Sequence, residues 1–335
     1  MLAKSLGVTS DNVTYDLEDS VTANLKEVAR RQLRDHLLET GAARRRPDGA
    51  GAGVSEVAVR INAVSTAHAL ADLTELAPAL AGGYVDAVVI PKVQGPGDLT
   101  FVADALRHLA PERHRTSNSN SNSNGGRNPG PVKLLALIES ARGVTDLREI
   151  CGAPGPAGSQ LSGLVFAAED FALDLSLTRT PSLREFLYAR SAIATAARAW
   201  GLPSAVDLVC TSFRGEEGAV RLEEECRDGR GLGFNGKQCI HPDQVALVQR
   251  LFGPDHREVE WAVRVLVADE KAAAQGRGAF PLDGSMIDAP VSGRAREVVQ
   301  KAERCGIDVE ELRQKWKDQE PESLRERKPS RHLRE

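Results

Sequence analysis

Seven short apolar runs rich in Val, Ile and Leu punctuate the chain: NVTYDLED (12–19), VAVRINA (57–63), DAVVIPKV (86–93), KLLALIES (133–140), GLVFAAED (163–170), AVDLVCT (205–211) and KQCIHP (237–242). Between most of them the apolar positions switch to a helical period, as in NLKEVARRQLRDHLLE, HALADLTELAPALA, LREFLYARSAIATAARAW and HPDQVALVQRLF. Strands buried on both faces and joined by helices are parallel βα units, because a parallel crossover needs a long connection that then covers the sheet. The candidates are an open doubly wound sheet and a closed (β/α)8 TIM-type barrel.

Most of these runs end on a polar or charged group: Asp16, Glu18, Arg60, Asn62, Lys92, Glu139, Asp170, Asp207 and His241. A barrel gathers such ends at one mouth, where barrel enzymes keep their chemistry, whereas an open sheet spreads them along an edge. The pattern therefore favours the α/β barrel. Seven strands are found where eight are needed, and the missing first strand is expected before MLAKSLG, which reads as the end of a helix.

Two stretches fall outside the repeat, about 41–53 and about 114–132; both are too rich in Gly, Ser, Asn or Arg to bury apolar surface and read as disordered surface insertions. The Arg run in the first is a phosphate or nuclear-import patch or, more simply, a solvated loop. Residues 1–300 then form one barrel with a lid segment at 278–300, and 301–335 form a charged C-terminal tail whose last stretch, EPESLRERKPSRHLRE (320–335), reads as frayed or disordered.

Bulk composition removes several classes of partner. With 335 residues, 41% hydrophobic, a formal charge of −4 and a pI of about 6.1, the chain builds a sizeable core and lacks the polycationic field that nucleic acid or an anionic membrane selects. Five cysteines without CxxC spacing argue against a disulfide framework or zinc cluster. With no secretory signal and no apolar run of about 20 residues, this points to a soluble chain in a reducing compartment, mitochondrial or cytoplasmic.

Glu139 and Asp170 each close an apolar run, and two hard oxygen ligands with the rest of the shell left to water and substrate suit Mg2+. Each residue alone reads equally well as a cap on the following helix. Glu169 precedes Asp170, and neighbours on a strand point to opposite faces, so only one enters the mouth. Arg60 is an always-charged fork for a carboxylate or a developing oxyanion, or the ion-pair partner of Asp16 and Glu18, and both roles are compatible. His241 is the one histidine at a strand end, a general base or a structural residue at the rim. GRGLGFNG is glycine-rich but precedes a strand, a weak phosphate signal.

The ordered motifs TYDLEDSV, AVRIN, VVIPKV, LIESARGV, FAAEDFALDL, YARSAI, GKQCIHPDQ and GSMIDAP resemble the citrate lyase beta-subunit-like branch of the HpcH/HpaI aldolase family, from about residue 11 to about 300. The resemblance implies a (β/α)8 barrel, usually a homotrimer or hexamer, and a Mg2+-dependent lyase acting on 3-hydroxyacyl-CoA thioesters such as malyl-, citramalyl- or citryl-CoA. It implies Glu139 and Asp170 as metal ligands and Arg60 on the substrate; by their own place beside Arg60, Asp16 and Glu18 would position the arginine and hold metal-bound water. Ile240 and His241 would line the thioester site, partly through backbone groups, and Lys4 matches a basic position facing the thioester's phosphates. Asp288 would be the acid/base residue, on a segment covering a neighbouring subunit's mouth; by spacing alone it is a turn or helix cap before Pro290. The family's opening strand and loop, of the type R-x-L-L-[FY]-V-P-G-S, have no counterpart before MLAKS.

Two rival readings remain. One is a class II pyruvate aldolase acting on free hydroxy-keto acids, against which the DLED and GSMID motifs count. The other is a catalytically silent barrel that binds acyl-CoA or a partner.

Overall fold

The computed structural model of the chain describes residues 2–5, 7–44, 54–114 and 130–322. The chain divides into two compact units, residues 1–248 and 249–335.

In the first unit, strands β1 (Ser10–Asp16), β2 (Val54–Arg60), β3 (Ala87–Ile90), β4 (Lys133–Ile138), β5 (Leu161–Phe166), β6 (Ser204–Asp207) and β7 (Gly236–Lys237) form one sheet in sequence order. Every neighbouring pair is parallel. That order, with a helix after most strands, is a TIM-type barrel sheet short of one strand among the described residues.

Alternation along the strands separates two layers. Ala58, Ala87, Val89, Leu135, Leu137 and Val165 pack together as one cluster on one face. Phe166, from the intervening file, meets Phe171 and Phe186 of the helical layer edge to face at 5.4 and 5.8 Å. Arg60 and Glu139 continue the first file, two residues beyond Ala58 and Leu137, and so emerge at the C-terminal end of the sheet on the face of the small apolar cluster.

The strands are shorter at their C-terminal ends than the apolar runs suggest. The KQCIHP run contributes only Lys237 to β7, which Gly236 opens, so His241 is not a strand-end residue but the N-cap of the 3-10 turn Pro242–Gln244. Asp170 likewise lies in the first turn of the helix Ala168–Leu175. Two acids in that turn complement the partial positive charge of the helix N-terminus, which is why a helix begins where the run FAAED reads as continued strand.

Residues 41–44, expected in an insertion, complete the helix Lys26–Arg44; Gly41 fits there because a Cβ would collide with the Tyr84 ring. Residues 45–53 and 115–129, the rest of the two expected insertions apart from His114 and 130–132, lie outside the described residues. His114 closes the helix Pro111–His114. The glycine-rich stretch near 229–236 ends the helix Gly215–Leu232 and supplies Gly233 as its left-handed cap, with φ 103°. It is a helix terminus, not a phosphate loop.

The second unit packs the helices His256–Ala274 and Ala289–Arg304 around a core that includes Val259, Val263, Phe280, Leu282, Ile287 and Val299. The sequence suggests a lid segment here; the structure shows an antiparallel hairpin, β8 (Phe280–Leu282) with β9 (Ser285–Ile287). Its tip residues, Asp283 and Gly284, have φ 50° and 76°, as a two-residue Asp-Gly turn requires. Arg264 bonds Asp283 at 2.6 and 2.9 Å and lies 4.5 Å from the Trp316 ring centroid. The charged stretch beyond 305 begins as ordered structure: Asp308 caps the helix Val309–Lys315, and the Trp316 indole donates to Glu260 at 2.8 Å. Residues 323–335 lie outside the described residues.

Candidate active site

The first-unit site begins at the paired ends of β1 and β2, where Asp16 and Arg60 are register partners. Arg60 donates from Nε to Asp16 Oδ1 at 2.7 Å and from Nη2 to Oδ2 at 2.5 Å, and its Nη1 lies 3.3 Å from Glu18 Oε2. Asp16 also accepts the backbone N–H groups of Glu18 and Ser20, at 2.8 and 3.1 Å, so the DLED segment curls around its own first carboxylate. Burial would raise the Asp16 carboxyl, but the Arg60 bonds and charge outweigh it and hold the group at about 2. Glu18 goes the other way: burial prevails over Lys92 and Arg60, and its carboxyl is raised.

Glu139 follows β4 and is 3% exposed. Burial pushes its carboxyl up to about 7, despite the Lys92 backbone N–H that donates to its Oε1 at 3.0 Å and the nearby Lys92 charge. The Lys92 ammonium lies 3.5 Å from Glu139 Oε2 and 3.3 Å from Asp170 Oδ1, so these two carboxylates converge on one cationic point. Glu18 Oε1 and Asp19 Oδ2 reach the same nitrogen, at 2.9 and 3.7 Å. Burial would lower the Lys92 ammonium, but its bond to Glu18 and the surrounding carboxylates raise it.

The structure thus joins Asp16, Glu18, Arg60, Glu139 and Asp170 in one acidic mouth. Glu169 is excluded from it, although not by strand alternation: on the helix its side chain pairs with Arg179, which also bonds Glu225 at 3.0 Å. Ile240 and His241 form a separate part of the rim. Ile240 is 53% exposed, and His241 stacks on Phe213 with centroids 5.1 Å apart. Both backbone N–H groups donate to Gln244 Oε1, at 2.9 and 3.3 Å. The buried Gln244 in turn donates to the Cys210 carbonyl at 3.0 Å, which fixes the IHP turn.

Lys4 lies in the helix Leu2–Ser5, its side chain outside the described residues. In the second unit, Asp288 is the N-cap of the helix Ala289–Arg304 and accepts from Val291 N–H at 3.2 Å, the local role its place before Pro290 predicts.

Sequence reasoning passed over Lys92 and Asp19 as site residues. Lys92 carried a signal, a basic group at a run end otherwise surrounded by acids, but its left-handed φ of 53° has none in a residue that rarely adopts it.

Among the described residues, no group of three or more His, Cys, Asp or Glu side chains is arranged to hold a metal by itself. Two hard oxygen donors converging at one cationic point do fit a Mg2+ ion that keeps water or substrate on its remaining positions. No helix among the described residues is long and apolar enough to cross a membrane.

Fold and site together define a parallel α/β barrel protein with an arginine-braced carboxylate mouth. The chain belongs to the HpcH/HpaI aldolase/citrate lyase family, whose profile it matches over residues 1–242. It is 32% identical over 297 residues to the mitochondrial citramalyl-CoA lyase of Rattus norvegicus, spanning 87% of this chain and 79% of that protein. It is 34% identical over 307 residues to the citrate lyase beta subunit of Escherichia coli K12, spanning 92% and 90%. Among solved structures, the CitE protein of Mycobacterium tuberculosis in complex with magnesium, acetoacetate and coenzyme A matches with a TM-score of 0.64 at 30% identity, over 90% of this chain and 92% of that one. A citrate lyase from Burkholderia xenovorans LB400 matches in fold with a TM-score of 0.72 at 19% identity, over 91% of this chain and 87% of that one.

Proposed function

We propose that this protein is a Mg2+-dependent carbon–carbon lyase that cleaves a 3-hydroxyacyl-CoA thioester, of the malyl-CoA, citramalyl-CoA or citryl type, to acetyl-CoA and a 2-oxo acid. The observation that carries the reading is the convergence of Glu139 and Asp170 on one cationic point, Lys92 Nζ, at 3.5 and 3.3 Å. The kinship with citramalyl-CoA lyase and the citrate lyase beta subunit supports it.

In this reading Glu139 and Asp170 hold Mg2+, which supplies Lewis-acid polarisation of the substrate oxygen that becomes the carbonyl of the 2-oxo acid. Arg60 receives the substrate carboxylate. Its pair with Asp16 uses Nε and one Nη2 hydrogen, and a guanidinium carries five N–H donors, so donors on Nη1 and Nη2 remain. Asp16 and Glu18 position that fork. Cleavage passes the 3-hydroxyl proton to solvent water, breaks the bond between the hydroxyl-bearing carbon and its neighbour, turns the former into a carbonyl and moves the bonding electrons onto the thioester enolate. Protonation at the enolate carbon, assigned to the Asp288 that a neighbouring copy of the chain supplies, yields acetyl-CoA. Ile240 and His241, with Lys4, take the thioester and its phosphates, and the working assembly is a homotrimer or hexamer.

The test is acetyl-CoA release from citramalyl-CoA and malyl-CoA by the purified chain, with Mg2+ and with EDTA. Release in Mg2+ alone is the expected result. Turnover of free hydroxy-keto acids without CoA would overturn it in favour of a class II aldolase, and CoA binding without turnover would favour a silent acyl-CoA-binding barrel.

A further inference from the structure

Lys92 makes an unusual double contact with Glu139. Its backbone N–H donates to Oε1 at 3.0 Å, while its own ammonium lies 3.5 Å from Oε2. The left-handed φ of 53° at Lys92 belongs to the turn that holds both contacts, a conformation unfavourable for a residue with a side chain. The same ammonium reaches Glu18, Asp170 and Asp19 at 2.9, 3.3 and 3.7 Å. Arg60 balances Asp16 and one oxygen of Glu18. Lys92 is thus the cation shared by Glu139, Asp170 and Asp19.

Two cations cannot share the same carboxylate oxygens without strong repulsion at these distances. We propose that Lys92 is a tethered counter-ion of the cation site: its ammonium keeps Glu139 and Asp170 together, competes with a divalent cation for their oxygens, and shifts onto Glu18 and Asp19 when the cation binds. This rests on the reading of Glu139 and Asp170 as the Mg2+ ligands. It makes Lys92 a positioning residue that sets how tightly the metal is held. Glu18 is the natural receiver, because its Oε1 is the oxygen nearest to the ammonium and it does not belong to the metal pair. The backbone bond to Glu139 persists through the exchange, so one ligand stays aimed while the side chain leaves.

The test is calorimetric titration of the EDTA-treated full chain with MgCl2, beside melting curves in EDTA and in saturating Mg2+, for wild type, Lys92→Met, Lys92→Asn and Lys92→Arg. Asn tolerates the left-handed backbone and guards against a folding defect in the Met variant. The neutral variants are expected to bind Mg2+ at least tenfold more tightly than wild type, to melt lower in EDTA, and to gain more from Mg2+. Lys92→Arg keeps the charge and should stay near wild type. Equal or weaker Mg2+ binding by both neutral variants overturns the inference, as does absence of Mg2+ binding in every protein. Tighter binding in the neutral variants without thioester cleavage by wild type leaves the inference standing and removes the lyase reading; cleavage by wild type with no gain in affinity does the reverse.

Discussion

Asp16 and Arg60 face each other across adjacent parallel strands as register partners, closed by a fork of 2.7 and 2.5 Å. This bond is the first structural element of the mouth. It holds the Asp16 carboxyl at about 2, below its ordinary 3.8, against the upward push of burial. Because the folded value is the lower one, the stabilisation is full above about 3.8 and disappears as pH falls through 2. Asp16→Asn should therefore cost about 2 kcal/mol at pH 7, with the gap to wild type narrowing between pH 4 and pH 2. Urea unfolding across that range reads it, and a gap independent of pH would contradict the pairing.

Glu139 has the opposite character. Its carboxyl, pushed up to about 7 by burial, is largely protonated below neutrality, and a hard cation requires the carboxylate. Mg2+ affinity should fall roughly tenfold per pH unit below 7 and level off above 8. Calorimetry in buffers of different ionisation enthalpy should also show one proton released per ion at pH 6. Glu139→Gln should remove both the binding and its pH dependence.

Behind the mouth, Arg190 bonds Asp207 at 3.0 and 2.7 Å, with side chains 1% and 0% exposed. Arg190 keeps its bond to Asp228, so Asp207→Asn or Asp207→Ala should destabilise by less than the roughly 3–5 kcal/mol of a fully stranded buried charge. Gly229 of the helix Gly215–Leu232 lies against this pair, and a Cβ there would collide with Asp207 Oδ2. Helix propensity alone predicts that Gly229→Ala stabilises by about 1 kcal/mol. The packing predicts destabilisation instead, and the urea midpoint of that single variant decides between them.

The barrel was legible because its strands are apolar on both faces and its helices keep a strict period, as in HALADLTELAPALA, which forms the helix His68–Ala81. Arg60 and Glu139 were legible as candidates for the same reason: both end a buried file. Element ends were harder to read. An apolar run followed by acids looks alike whether it continues as strand or opens a helix, so Asp170 and Glu169 were placed on a strand and separated by the wrong periodicity. Lys92 was hidden because its role depends on one left-handed residue and on carboxylates from three other segments, none of them near it in sequence. The packing of Trp316 on Arg264 and Glu260 was equally invisible, since a charged tail gives no sign of the partner it meets.

The central claim is that Glu139 and Asp170 together hold the metal on which cleavage depends. The most direct measurement is Mg2+-dependent acetyl-CoA release from citramalyl-CoA by wild type, Glu139→Gln and Asp170→Asn, each verified as folded by circular dichroism. The account predicts release by wild type that EDTA abolishes, and a loss of at least about a hundredfold in each variant. Turnover near the wild-type rate in either folded variant would contradict it.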